Sequence, residues 1–268
     1  MTETLLAFLI AVPIAVLGGL IGLGGAEFRL PALVGWLRRT AHQAVPINLA
    51  VSLVTLLVSL LVRSQTLPTL PLESLMVILA AMIAGAVLTA YLGAGLTARL
   101  SPHALEGWMR LLLTAIGLLL IVEGFVPLSE AGLIGEIPLT QAAVGFIAGC
   151  LIGVVSSTLG VAGGELIIPT LIFIFGVGIK TAGSASLIIS LPTVMVGLAR
   201  YAHKGLLFSR SDGLRIVLPM GLGSVIGSII GGVLAVIVPA NWLKIILGLV
   251  LIASAARMFR RKAATPNG

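Results

Sequence analysis

The stretch Gly22-Leu23-Gly24-Gly25-Ala26-Glu27-Phe28-Arg29-Leu30-Pro31 lies inside an otherwise apolar run. It places three glycines, an acid and a base where a membrane segment would carry no charge without a function. The pattern returns near the middle of the chain as Gly160-Val161-Ala162-Gly163-Gly164-Glu165-Leu166-Ile167-Ile168-Pro169. The repetition indicates a chain that is built from two halves.

The composition predicts an integral membrane protein. Of its 268 residues 59% are hydrophobic and 9% are charged, whereas soluble domains carry about 25% charged residues. The net charge of +7 comes mostly from basic residues at the ends of apolar segments. Such charges set membrane topology, so they do not indicate a nucleic-acid partner. The first four residues, Met1-Thr2-Glu3-Thr4, lack the basic start of a signal peptide, so the first apolar segment is expected to remain in the protein.

The predicted fold is an all-α polytopic membrane protein with two repeats and 8 to 10 hydrophobic helical segments in total. Each repeat consists of a hairpin of two half-helices followed by three transmembrane helices. The hairpin arms beside the glycines are too short to cross a hydrocarbon core of about 30 Å, which places the bend within the membrane. The predicted boundaries are a first repeat over 1–122 (hairpin 5–37, helices about 44–62, 75–96 and 105–122), a connector over 123–138, a second repeat over 139–262 (hairpin about 139–177, helices about 181–200, 214–237 and 242–258) and a tail over 263–268.

A constant shift of 138 positions relates the two halves. It carries Glu27 to Glu165 and Pro31 to Pro169. In the second segment of the first half, the polar residues Asn48, Ser52, Thr55 and Ser59 follow one another at spacings of four, three and four, which place them on one helical face. Three of the four, Asn48, Ser52 and Thr55, are carried by the same shift to Ser186, Ser190 and Thr193, whereas Ser59 is carried to a glycine. A shared polar cavity is favoured over the alternative, in which each hydroxyl bonds its own helix backbone.

Loop charges predict the orientation of the two halves. Basic residues follow the hairpin in the first half, whereas in the second half they follow the helix after the hairpin. Because cytoplasmic loops are enriched in Lys and Arg, equivalent helices should run in opposite directions across the membrane. The repeats are therefore predicted to be inverted, with both termini in the cytoplasm.

Inverted repeats with interrupted helices are typical of secondary transporters, whose substrate lies between the repeats near the midplane. The amino-terminal end of each second arm offers free N–H groups to an anion. Glu27 and Glu165 either cap these helices or carry protons, because burial favours a neutral carboxyl group. Arg29 either pairs with an acid such as Glu27 or binds the anion. The candidate substrate-binding residues are Gly24, Gly25, Arg29, Asn48, Ser52, Gly163, Gly164, Ser186 and Ser190.

The duplicated glycine-rich stretches, each leading to a proline and a polar-striped helix, resemble the TauE/SafE sulfite exporter family. The family is also known as TSUP, the probable membrane transporters of the former DUF81 group. Its signature maps onto Gly22, Gly24, Gly25 and Glu27, and onto Gly160, Gly163, Gly164 and Glu165. The resemblance implies transport, often export, of sulfite, sulfoacetate or related organosulfonates across the bacterial cytoplasmic (inner) membrane.

The leading hypothesis is therefore a secondary carrier of small sulfur-containing or organic anions, working by alternating access and coupled to protons. An anion channel or a non-transporting membrane partner is the alternative. An intramembrane enzyme is disfavoured because His42, His103 and His203 lie at helix ends or in loops. The expected partners are a small anion and the lipid bilayer, with no cofactor and no metal; association of identical chains is left open.

Overall fold

The structure of the chain is a computed structural model that describes residues 3–67, 72–96, 102–125, 132–135, 137–159 and 162–263. Within those ranges all regular secondary structure is helical. Five helical segments of the described ranges are long and apolar enough to cross a membrane: Glu3–Ile21, Gln43–Thr66, Pro138–Ser156, Ile179–His203 and Arg210–Ile237. The predicted all-α, multi-pass membrane class is confirmed.

Among the described residues, five helices lie in the first half of the chain and six in the second. The first five are α1 (Glu3–Ile21), α2 (Ala26–Gly35), α3 (Ala41–Thr66), α4 (Met76–Leu96) and α5 (Pro102–Phe125). They are followed by α6 (Pro138–Leu159), α7 (Gly164–Pro169), α8 (Ile179–His203), α9 (Arg210–Asp212), α10 (Leu218–Ile237) and α11 (Ala240–Ala263). A 3₁₀ turn over Glu73–Leu75 precedes α4, and π-helical turns over Thr170–Ile174 and Gly213–Val217 continue α7 and α9.

The predicted connector and tail lie partly outside the described residues. Helix α5 extends into the connector as far as Phe125, and α6 begins at Pro138. Residues 126–131 and 136 of the connector are not described, and neither are residues 264–268 of the tail. Gly160, the first glycine of the second stretch, is also outside the described residues.

A glycine bend separates α1 from α2, and we refer to these two helices as the first hairpin. Helix α1 ends where the carbonyl of Gly18 accepts hydrogen bonds from the backbone N–H groups of Gly22 and Leu23, at 2.9 and 2.8 Å. Gly22 and Gly25 then take left-handed backbone conformations, with φ of 99° and 68°, which cost other residues more than they cost glycine. In the second hairpin, formed by α6 and α7 with its π-helical turn, Gly163 has the same role with φ of 80°.

The first arms of the hairpins are longer than predicted. Helix α1 has 19 residues and α6 has 22, which at 1.5 Å per residue amount to about 28 to 33 Å. The prediction of two half-helices per hairpin is therefore wrong for the first arms and applies only to the second arms. The pair Gly18-Gly19 lies within α1, and Gly19 allows α10 to pack closely there: a Cβ atom on Gly19 would lie 2.8 Å from the carbonyl oxygen of Ser228.

Helices from the two halves pack against each other in reciprocal pairs. Helix α1 packs on α10 and α4 packs on α6, while α5 pairs with α11 and α3 with α8. The remaining extensive contacts, α3 with α10 and α4 with α8, exchange with each other under the 138-residue shift. Glycines make the close α1–α10 contact, since a Cβ atom on Gly227 would lie 2.7 Å from Cβ of Ala15. The first arm of each hairpin thus packs on a helix of the opposite half, whereas the second arms, α2 and α7, pack on α3 and α8 of their own half.

Candidate functional site

The bends of the two hairpins meet inside the protein. A Cβ atom on Gly24 would lie 2.9 Å from Cβ of Ala162, and one on Gly164 would lie 2.8 Å from Cδ2 of Leu23. Gly24 and Ala162 occupy equivalent positions of the two sequence copies, 138 residues apart. Larger side chains at these positions would hold the bends apart, which explains why only small residues occur there.

Arg29 is the most polar group at the first bend, and it is completely buried. Its Nη1 donates to the hydroxyl of Ser52 at 2.9 Å and to Oδ1 of Asn48 at 3.4 Å. Its Nη2 donates to the hydroxyl of Thr55 at 3.0 Å and to the carbonyl of Gly24 at 3.4 Å. Nε has no hydrogen-bond partner among the described residues. All the acceptors of this guanidinium are neutral, so no counterion among the described residues is in direct contact with its charge.

Glu27 lies in the first turn of α2 and is also buried. Neither of its carboxylate oxygens has a hydrogen-bond partner or an ion pair in the part of the chain that the structure describes. Of the two roles that the sequence leaves open for Arg29, the ion pair with Glu27 is therefore not formed. A hydrogen-bonded cap by Glu27 is not formed either, and Gly25 occupies the N-cap position of α2.

The polar stripe of the second half faces the second bend. Ser186, Ser190 and Thr193 on α8 are buried. The hydroxyl oxygen of Ser186 lies 3.2 Å from where a Cβ atom on Gly164 would be. The hydroxyls of Ser186 and Ser190 have no hydrogen-bond partner among the described residues, whereas Thr193 donates to the carbonyl of Ile189 at 3.0 Å. The two halves of the site thus differ, because the polar side chains of the stripe on α3 accept hydrogen bonds from Arg29, whereas the stripe on α8 has no equivalent arginine.

A model of the sulfite exporter TauE/SafE family matches residues 145–268. The match confirms the resemblance for the second glycine-rich stretch, and the family that it names is one of sulfite exporters. No curated protein and no solved structure matches the chain.

The TauE/SafE match covers the second bend and its polar stripe, and the shift of 138 residues relates both to the first half. Of the candidate glycines, Gly24 and Gly164 face the opposite hairpin. Gly25 and Gly163 instead pack on their own first arms, since Cβ atoms on them would each lie 2.9 Å from an isoleucine methyl group, in Ile14 and Ile152 respectively. Glu165 is buried in the first turn of α7. The predicted residues therefore form two adjacent groups, one at each bend.

Arg63 is a buried charged residue that is not among the residues predicted to form the site. It is 2% exposed and lies on α3. The polar stripe predicts its orientation, because Arg63 follows Ser59 at a further spacing of four on the same helical face. Thr55, a stripe member outside the predicted binding residues, binds Arg29 directly. The described residues include no group of three or more His, Cys, Asp or Glu side chains that could hold a metal ion.

Proposed function

We propose that the chain is a secondary transporter of small sulfur-containing or organic anions such as sulfite, sulfoacetate or organosulfonates. The observation that carries this proposal is the buried guanidinium of Arg29, which is held at the first bend by neutral acceptors only. A buried cation without a counterion favours binding of an anion, since desolvated charges require compensation. Guanidinium groups also match the oxygen geometry of sulfite and sulfonates.

The hydroxyls of Ser186 and Ser190 supply the second half of the proposed site. Both are buried donors without a partner in the described part of the chain, and buried polar groups without partners are costly. An anion between the bends would accept hydrogen bonds from these hydroxyls and from Nε of Arg29. Of the other predicted binding residues, Asn48 and Ser52 accept hydrogen bonds from Arg29, and Gly24, Gly25, Gly163 and Gly164 keep the backbone of the bends free of side chains.

Alternating access is proposed from the architecture. The reciprocal helix pairs and the contact between the equivalent residues Gly24 and Ala162 are what a two-fold axis between two repeats would produce. The reversed loop charges require that axis to lie in the membrane plane, which makes the repeats inverted, as in many secondary transporters. Both termini would then face the cytoplasm, and the membrane would be the bacterial inner membrane.

Proton coupling is proposed to use Glu27, with Glu165 as its equivalent in the second half. Because the oxygens of Glu27 have no partner in the described part of the chain, protonation would break no hydrogen bond there. A carboxyl group buried beside the anion site could therefore gain and lose a proton as the anion passes. Intramembrane acids of this kind serve as proton relays in transporters.

The test is anion counterflow in proteoliposomes that contain the purified chain. Labelled sulfite should enter faster when unlabelled sulfite is present inside, the rate should saturate, and a pH gradient should change it. Sulfoacetate and short carboxylates define the range of substrates. Conductive, non-saturating flux would indicate a channel instead, and flux indifferent to every anion would reject the proposal.

A further inference from the structure

Arg63 connects the end of the first hairpin to the opposite half of the protein. Its Nε donates to the carbonyl of Gly19 at 3.1 Å, and its Nη2 donates to the carbonyl of Leu20 at 2.8 Å. Its Nη1 donates to the hydroxyl of Ser184 at 3.0 Å and to the carbonyl of Lys180 at 3.3 Å. One side chain on α3 thus binds the last turn of α1 and the first turns of α8.

Two of the carbonyls that bind Arg63, those of Gly19 and Leu20, lie at the end of α1, where the bend interrupts the helix. The last carbonyls of a helix have no partner within it, and they carry the negative end of the helix dipole. The N–H of Leu23, which would pair with the carbonyl of Gly19 in a continuous helix, turns back to Gly18. The guanidinium of Arg63 therefore replaces the hydrogen bonds that α1 loses where the hairpin bends.

The same junction brings two backbones into direct contact. Gly22 of the bend and Gly183 of α8 touch, since a Cβ atom on either residue would overlap the backbone of the opposite segment. A Cβ atom on Gly183 would also lie 2.7 Å from Nη1 of Arg63. The junction consists of α1, α3 and α8, and Arg63 is the side chain that touches all three.

The second half of the sequence does not duplicate this arginine. The position equivalent to Arg63 is Tyr201, which has a single hydroxyl donor in place of a fork of five N–H donors. The position equivalent to Arg29 is Ile167, so both buried arginines act on the first hairpin. Leu20, which Arg63 binds, and Gly24, which Arg29 binds, are only four positions apart.

We propose that Arg63 is a positioning residue of the candidate anion site, which fixes the first bend against α8 and thereby holds Arg29 and Glu27 at a constant place. The positioning of an anion site rests on the proposed function, whereas the anchoring of the bend does not. Without Arg63, the bend and α2 would move relative to α8. A displacement of about 1 Å can reduce the activity of a distant site by about 100-fold.

The anchoring is tested first by hydrogen exchange of the purified protein, with no anion present. In Arg63→Gln, exchange of residues 18–30 should rise about tenfold or more, the factor that corresponds to losing one charge-assisted hydrogen bond. Exchange of residues 162–174 in the second hairpin should stay as in the wild type. Unchanged exchange at 18–30, or an equal rise in both hairpins, would overturn the proposal.

Arg39→Gln is the matched control, because Arg39 binds the beginning of α1, whereas Arg63 binds its end. Its Nη2 forms ion pairs with Glu3 at 2.6 Å and with Asp212 at 3.0 Å. This substitution should raise exchange near residue 3 and leave residues 18–30 unchanged. If Arg63→Gln gives no folded protein, Ser184→Ala removes only the hydroxyl on α8, and it should raise exchange at 18–30 to a smaller extent.

The positioning is tested by the affinity for sulfite, measured by titration calorimetry on the same samples. Arg63→Gln should weaken binding about tenfold or more, Arg63→Lys should recover part of it, and Arg39→Gln should leave it unchanged. Wild-type affinity in an Arg63→Gln protein with raised exchange at 18–30 would overturn the positioning role. If the wild-type protein binds no anion, the proposed function is rejected. The exchange pattern would still show whether Arg63 anchors the bend.

Discussion

Arg29 and Glu27 are two residues apart, and they have opposite surroundings. The guanidinium of Arg29 donates four hydrogen bonds to neutral acceptors, whereas the carboxylate of Glu27 has no hydrogen bond in the described part of the chain. Substitution of the two residues should therefore have different effects. Substitution of Arg29 removes its hydrogen bonds as well as its charge. Removal of the Glu27 charge breaks no hydrogen bond among the described residues.

We expect Arg29→Met to abolish sulfite counterflow and Arg29→Lys to reduce it about tenfold or more. Lysine keeps the charge but lacks the planar fork, so Ser52 or Thr55 would lose its donor, at about 1 to 3 kcal/mol. Ile167→Met at the equivalent position of the second half is the control, and it should transport as the wild type does. Normal counterflow by Arg29→Met would exclude Arg29 from the anion site.

Glu27→Gln should retain counterflow but lose its response to an imposed pH gradient. The amide has nearly the shape of the carboxyl group, and no carboxylate hydrogen bond is lost in the described part of the chain, so the melting temperature should change by less than about 4 °C. Glu165→Gln at the equivalent position shows whether the second acid shares this role. Equal loss of folded protein in both variants would favour the interpretation in which the acids cap their helices.

Helix lengths and helix contacts show how far local sequence signals extend. The bends could be predicted because glycines that adopt positive φ and isolated charges in apolar segments are local features. The length of α1 could not be predicted in the same way. Gly18-Gly19 looks like a helix end in isolation, whereas in the structure it lies within α1 and Gly19 makes the close contact with Ser228 of α10, a residue more than 200 positions away in sequence.

Glycine contacts between elements can be tested at the junction of the first bend with α8. Gly22 has φ of 99° and touches Gly183, so Gly22→Ala should lower the free energy of unfolding by about 1 to 3 kcal/mol. A Cβ atom on Gly221 of α10 would meet no atom within 4 Å, and Gly221→Ala should be neutral or stabilise by about 0.5 to 1 kcal/mol. Thermal or denaturant unfolding in detergent compares the two variants. Equal stability would show that the bend tolerates movement away from α8.

In the whole molecule, the two halves are equivalent in helix packing and different in polar residues. Reciprocal helix pairs relate them, yet Arg29 and Arg63 both act on the first hairpin. The sequence predicts the polar stripe because its spacing is local. It does not predict that Arg29 occupies the stripe or that Arg63 binds α1 and α8, because the partners of Arg63 lie as far as 121 positions away.

The inverted orientation of the halves is tested by labelling single cysteines with a membrane-impermeant maleimide in intact cells. Cys150→Ala provides a background without the native thiol. Trp36 and Gly178 are exposed and lie in the equivalent loops that follow the two second arms. Leu206 and Leu133 are exposed in the loop after α8 and in the connector.

Cysteine at Gly178 and Leu133 should react in intact cells, whereas cysteine at Trp36 and Leu206 should react only after permeabilisation. The contrast between Trp36 and Gly178 is decisive, since these loops hold the same place in the two sequence copies. Basic residues near Trp36 and Leu206 favour the cytoplasmic side for both. Labelling of Trp36 and Gly178 from the same side would mean that the repeats are parallel, and a single anion could then not lie between two opposed bends.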